Sequence, residues 1–188
     1  MMKLLMIDNY DSFTYNLVQL VKENTPYEVD VYRNDEIALS DVESYDKIII
    51  SPGPGLPKEA GVLCELIERY QSTKPIFGVC LGMQAIAEVT GATLINIDEP
   101  LHGVATPIQH ANTNLFTGIP EKFTVGRYHS WAVETNSLPK GLNVSATDEH
   151  GVIMAIEHET YNVSGVQFHP ESILTEYGKE IIINFLNQ

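Results

Sequence analysis

The sequence predicts an α/β fold: a mostly parallel sheet with helices on both faces and a smaller antiparallel β portion in the C-terminal half. Three observations carry this. Strand-length apolar runs alternate with helix-length segments from residue 3 to residue 90, the alternation that builds a parallel sheet through crossover helices. The run Lys47-Ile-Ile-Ile-Ser51 is apolar without a break at its centre, as a strand buried on both faces must be. Beyond Gly91 the pattern changes to short strand-like runs with turns.

In order, a strand is expected over residues 3–8, in the apolar opening Lys3-Leu-Leu-Met-Ile-Asp8. A helix over 12–24 follows, with Asp11 and Ser12 placed to cap its first turn. Strands over 28–33 and 46–51 precede a helix over 60–71 that carries Cys64 in its apolar pattern. Pro75-Ile-Phe-Gly-Val79 reads as a buried strand, and residues 80–90 as the helix it turns into. Leu142–Thr147, Val152–Glu157 and Asn162–Phe168 read as later strands, and Gly178–Leu186 as a closing amphipathic helix.

A length of 188 residues with 44% hydrophobic content fits a single domain, residues 1–188, with a sizeable core. The net charge of −14 argues against a nucleic-acid or anionic-membrane surface. Two cysteines, Cys64 and Cys80, make neither a disulfide framework nor a zinc pattern, so a reducing cytoplasm is the expected compartment. Met1–Ile7 is too short and too soon interrupted by Asp8 to be a signal peptide or membrane span. The six histidines are not spaced as metal ligands, and no metal or cofactor is expected.

Gly78-Val-Cys-Leu-Gly82 is the most informative segment. A nucleophile between two glycines, on a sharp strand-to-helix turn, is a nucleophile elbow. The helix N-terminus there favours a thiolate. A thiol nucleophile needs a base, and the base needs an acceptor that fixes its tautomer. His169 and Glu171, at the end of the strand-like run Val163–Phe168, supply both. Ser51-Pro-Gly-Pro-Gly55 leaves another strand end with glycines that expose backbone N–H groups. The N–H groups of Gly53 and Leu81 are candidate oxyanion donors. Elbow and loop both fall at strand C-terminal ends, where open α/β sheets bind ligands.

Five ordered motifs then carry a family resemblance: Asp8-Asn-Tyr-Asp-Ser-Phe-Thr14, Ser51–Gly55, Gly78-Val-Cys-Leu-Gly-Met-Gln84, Arg127-Tyr-His-Ser130 and Gly165-Val-Gln-Phe-His-Pro-Glu-Ser172. Over essentially its whole length the chain resembles the class I (triad) glutamine amidotransferases, whose core is flavodoxin-like. Within them it is most similar to the glutaminase subunits of anthranilate synthase and aminodeoxychorismate synthase. The resemblance implies Cys80 as nucleophile, His169 as general base and Glu171 as its orienting partner. It implies that Gly53, Pro54, Gly55, Gln84, Ser130 and Trp131 bind L-glutamine. The implied partner is a chorismate-binding synthase subunit, making anthranilate by preference or aminodeoxychorismate as the alternative. Met83 stands where the close family usually has His, and Trp131 where Leu is commoner.

Competing readings are weaker. Asp8 and Asp11 could form an acidic Mg²⁺ pocket as in a receiver domain, but the third strand ends in Ser51-Pro52 rather than a phospho-accepting Asp. A zinc deaminase needs Pro-Cys-x-x-Cys, which is absent. Elbow cysteines also occur in redox sensors and chaperones, which have no reason to combine Gln84, Ser130 and Glu171. A peptidase or γ-glutamyl hydrolase is chemically possible, and glutamine-dependent ammonia release separates it from the amidotransferase.

Overall fold

The computed structural model describes residues 2–188. Its strands are β1 (Lys3–Asp8), β2 (Glu28–Arg33), β3 (Lys47–Ile50), β4 (Ile76–Val79), β5 (Leu94–His110), β6 (Lys122–Val133), β7 (Leu142–Asp148), β8 (Ile153–His158) and β9 (Val163–Val166). Its α-helices are α1 (Thr14–Asn24), α2 (Leu63–Tyr70), α3 (Leu81–Thr90) and α4 (Gly178–Leu186). These strands join in one mixed sheet, ordered β2-β1-β3-β4-β9-β8-β7-β5-β6. The block β2-β1-β3-β4-β9 is parallel, and the remaining pairings are antiparallel.

Strand alternation sorts the core into two layers. From β1, Leu4 and Met6 pack with Leu17 and Val21 of α1 and Ile181 and Phe185 of α4. Leu5 and Ile7 pack on the other face, with Leu63, Leu66 and Ile67 of α2 and Met83 and Ile86 of α3. Phe77 and Phe185 stack at 5.2 Å between ring centroids, tying α4 to the middle of the sheet. Burying each such side chain contributes roughly 1.5–3 kcal/mol. Among the described residues no helix is long and apolar enough to cross a membrane.

Three expectations shift. α1 begins at Thr14, two residues late, and Phe13 at its N-cap makes no side-chain cap. Asp11 instead accepts the Phe13 N–H at 2.8 Å, closing a turn ahead of the helix, and so does not cap it. α2 begins at Leu63 because Pro57–Glu59 forms a 3₁₀ turn and Gly61 sits at φ +54°. The β5–β6 hairpin lies outside the expected elements, because β5 shifts register between Asn96 and Leu101 and again between His102 and Val104. Such irregularities erase the alternation by which a strand is recognised.

The consequence for function is positional. β3, β4 and β9 are adjacent and parallel, so the segments leaving their C-terminal ends lie side by side. Those segments carry Gly53, Cys80 and His169.

Candidate active site

The elbow is local strain held by surrounding contacts. Cys80 sits at φ 52°, ψ −103°, a conformation that costs a non-glycine residue on the order of 1–3 kcal/mol. Its N–H donates to the Val166 carbonyl at 2.8 Å, and its carbonyl accepts from the Gln84 N–H at 3.0 Å. Glycines make the close approach possible. A Cβ on Gly78 would lie 2.4 Å from the Gly82 carbonyl carbon, and one on Gly82 would lie 2.8 Å from the Ile50 carbonyl oxygen. Gly165 on β9 has the same constraint, its Cβ position being 2.9 Å from the Gly78 oxygen.

His169 and Glu171 come together as expected. His169 Nδ1 and Glu171 Oε1 are 2.7 Å apart, with the two side chains 4% and 0% exposed. The carboxylate accepts from Nδ1–H, which leaves Nε2 as the free nitrogen. Nε2 is buried and makes no hydrogen bond among the described residues. Burial disfavours charge on this ring, but the Cys80 side chain and the Glu171 carboxylate outweigh it and push the imidazole up to about 10. The backbone is held by His169 N–H to the Gly126 carbonyl at 3.1 Å and by the Thr175 hydroxyl to the His169 carbonyl at 2.6 Å. Tyr128, 4.8 Å away, and Phe13, 6.5 Å away, flank the ring.

Gly53 and Leu81 also meet. A Cβ on Gly53 would lie 2.9 Å from Leu81 Cδ2 and 2.5 Å from Asn9 Cβ. Leu81 is the first residue of α3, so its N–H has no intrahelical acceptor, and the Gly53 N–H has no acceptor among the described residues. A buried network fixes the root of this loop. Asn9 donates its N–H to Ser51 Oγ at 2.9 Å and its side-chain amide to the Ser51 carbonyl at 2.8 Å, while Asn34 donates to Asn9 at 3.0 Å. Pro54 and Gly55 are exposed at the tip, with Gly55 at φ +74°. They make no hydrogen bond with Cys80, Gln84 or His169.

Gln84 is buried and donates to the Trp131 carbonyl at 3.0 Å and to Gln167 Oε1 at 3.1 Å. Ser130 precedes Trp131 in β6, half-buried. The sequence reading missed what stands around them. Gln167 is fully buried and donates to Cys80 Sγ at 3.5 Å. His129 Nδ1 donates to the Trp131 carbonyl at 2.8 Å, and its Nε2 accepts from Arg127 Nε at 3.0 Å. Arg127 and Asp148 form a buried ion pair at 2.5 Å. Burial lowers His129 to about 4, although the Trp131 carbonyl works in the opposite sense, so the ring is neutral. One clue does stand in the sequence: Gln167 is a large polar residue inside the apolar run Val163–Phe168.

Among the described residues no cluster of three or more His, Cys, Asp or Glu side chains is disposed to hold a metal ion. A cavity of about 600 Å³ lies elsewhere, against Arg127, Asp148 and His150. The chemistry is better located by the strained thiol and the free imidazole nitrogen than by cavity volume.

A buried thiol on an elbow, a carboxylate-paired histidine and two free N–H groups are the parts that thiol acyl transfer requires. Residues 5–188 match the family model described as glutamine amidotransferase class-I, and the chain belongs to that family, as its motifs implied. It is 48% identical to the anthranilate synthase component 2 of Pseudomonas aeruginosa, over 98% of this chain and 95% of that one. It is 46% identical to the aminodeoxychorismate/anthranilate synthase component 2 of Bacillus subtilis, over 97% of this chain and 95% of that one. A Thermoplasma acidophilum crystal structure, of a candidate GMP synthase protein, has a TM-score of 0.89 at 27% identity and covers 100% of this chain and 93% of that one.

Proposed function

We propose that this chain is the glutaminase subunit of a chorismate-using synthase: it hydrolyses L-glutamine and passes ammonia to its partner. The observation that carries the reading is His169: its Nδ1 pairs with Glu171 at 2.7 Å, its Nε2 is buried and free, and the side chains of Cys80, strained on its elbow, and of Glu171 hold the ring charged. The Cys80 thiolate attacks the side-chain amide carbon of glutamine. The resulting oxyanion rests between the Gly53 and Leu81 N–H groups, each such donor contributing roughly 3 kcal/mol of transition-state stabilisation. His169 Nε2–H protonates the amide nitrogen as the C–N bond breaks, so that neutral ammonia leaves and a thioester remains on Cys80. The same nitrogen then takes a proton from water as it attacks, and glutamate leaves. Proton transfer of this kind contributes on the order of 10²–10⁴ in rate. Gln84 and the Ser130-Trp131 backbone, with Gly53, Pro54 and Gly55, would hold the α-amino and α-carboxylate groups.

Ammonia is a nucleophile only while neutral, so it must reach the acceptor without meeting bulk water. The names of the Pseudomonas aeruginosa and Bacillus subtilis relatives, both a component 2, support a two-subunit assembly, and anthranilate is the favoured product. The Bacillus subtilis relative carries both synthase names, which keeps aminodeoxychorismate as the second reading. Apolar side chains are exposed near the proposed base: the Phe13 ring, 40% exposed, lies 6.5 Å from that of His169, and Ile173, two residues beyond Glu171 in the chain, is 99% exposed. We place the assembly in the cytoplasm, where the two free thiols would stay reduced.

Cys80 is only 6% exposed, so glutamine enters when a covering segment parts, and the exposed Pro54-Gly55 tip is the segment proposed to move. The test is glutamate release by the chain alone, with the co-purified synthase, and with synthase plus chorismate, together with identification of the aromatic product. Activity that rises across the three, with anthranilate formed, supports the reading. Peptide cleavage without glutaminase activity would overturn it.

A further inference from the structure

We propose that Gln167 is a further catalytic side chain of this site: its amide donates to the Cys80 sulphur and holds negative charge there, oriented by a one-way chain of amides that starts at the Trp131 carbonyl. The proposal rests on the reading of Cys80 as the nucleophile.

The orientation follows from donor and acceptor chemistry. An amide side chain can present either end to a neighbour, but a backbone carbonyl only accepts. The end of Gln84 facing the Trp131 oxygen at 3.0 Å must therefore be its NH₂. That NH₂ also faces Gln167 at 3.1 Å, so the end of Gln167 meeting it is the oxygen. Gln167 is left with its own NH₂ directed at Cys80 Sγ, 3.5 Å away. Reversing Gln84 would set its oxygen against the Trp131 oxygen, and reversing Gln167 would set NH₂ against NH₂ and an oxygen against the sulphur. The start of the chain is anchored, because His129 Nδ1–H donates to the same carbonyl and is held from behind by Arg127 and Asp148.

Burial supplies the second argument. Gln167 is 0% exposed and lies between Val166 and Phe168, both also 0% exposed. A buried amide is costly unless both ends are satisfied, and here the NH₂ finds its partner in the sulphur. The titratable neighbour of Cys80 is His169, with Glu171 behind it. His169 must surrender its proton to the leaving amide nitrogen and later take one from water. Gln167 is not titratable, so it can stay on the sulphur through both steps, including the collapse in which the S–C bond breaks and the thiolate leaves.

The test uses the full chain in a Cys64→Ser background, so that Cys80 is the single thiol. Iodoacetamide alkylation at neutral pH forms one S–C bond and expels iodide, and its rate reads the reactivity of the sulphur directly. Gln167→Met keeps length and loses the donor. Gln167→Glu keeps the acceptor towards Gln84 but sets an oxygen against the sulphur. Alkylation should slow by about tenfold in the first and by more in the second, with unchanged circular dichroism. Glutaminase kcat should fall while KM for glutamine stays near wild type. Alkylation of folded Gln167→Met within twofold of wild type, or an effect confined to KM, would overturn the proposal. If Gln167→Glu does not fold, Gln167→Met decides alone. Wild type that releases no glutamate even with synthase and chorismate, while alkylation still depends on Gln167, would remove the glutaminase reading and leave this one standing.

Discussion

His129 and His169 are buried in the same polar layer and are pushed in opposite directions. Burial is the first influence on both rings. At His129 it prevails, and the ring titrates near 4 rather than at its ordinary 6.5. At His169 the Cys80 and Glu171 side chains prevail, and the ring titrates near 10. By linkage, His169 contributes stability in full below about 6.5, lost as the pH rises through about 10, and His129 contributes stability above about 6.5, lost as the pH falls through about 4. Denaturant unfolding of wild type across this range should weaken at both ends. His169→Gln should lack the alkaline loss that belongs to this ring, and His129→Gln the acid loss. Curves parallel to wild type in both variants would contradict these assignments. In turnover, Glu171→Gln should cost less than His169→Ala, because the amide still accepts from Nδ1 but no longer stabilises the charged ring. Steady-state kcat for the pair checks that order, and equal losses would remove the orienting role.

At the scale of elements, α3 is pressed so closely on the sheet that Gly78 of β4 and Gly82 of α3 together fix where Cys80 sits. Gly78→Ala puts a methyl 2.4 Å from the Gly82 carbonyl carbon, so α3 must move and Cys80 with it. Overpacking of this kind costs typically 1–3 kcal/mol, which in a chain of this size lowers Tm by roughly 2–10 °C. Calorimetry should find that drop together with a disproportionate loss of glutaminase activity, and unchanged turnover in Gly78→Ala would show that the elbow tolerates displacement. The same elements mark what a sequence can tell. β3 and β4 announce themselves as unbroken apolar runs, and the elbow is legible because its glycines and its thiol are neighbours along the chain. The β5–β6 hairpin hides behind two register shifts. The chain from His129 to Cys80 is invisible for a different reason: Gln84 meets Trp131 across 47 residues and Gln167 across 83, distances that only the completed sheet closes. Asn9 and Ser51, 42 residues apart, anchor the Gly53 loop in the same long-range way.

For the whole molecule, the order of the sheet matters most, because it sets the ends of β3, β4 and β9 together at one edge of the fold. Near those ends Phe13 is 40% exposed and Ile173, two residues beyond Glu171, is 99% exposed, and these are the side chains proposed to meet the synthase. Ile173→Asp should abolish co-purification with the synthase and leave the melting temperature of the free chain within about 1–2 °C of wild type. Retained association would move the docking surface elsewhere.

The proposed role of Cys80 is to release ammonia from glutamine for a partner's use. It is tested most directly by chorismate amination in the assembled pair carrying Cys80→Ala, measured with glutamine and separately with ammonium as nitrogen source. Loss of the covalent nucleophile should lower the glutamine-dependent rate by several orders of magnitude, on the order of 10³ or more, while the ammonium-dependent rate stays close to wild type. A glutamine-dependent rate near wild type in Cys80→Ala would show that Cys80 is not the nucleophile.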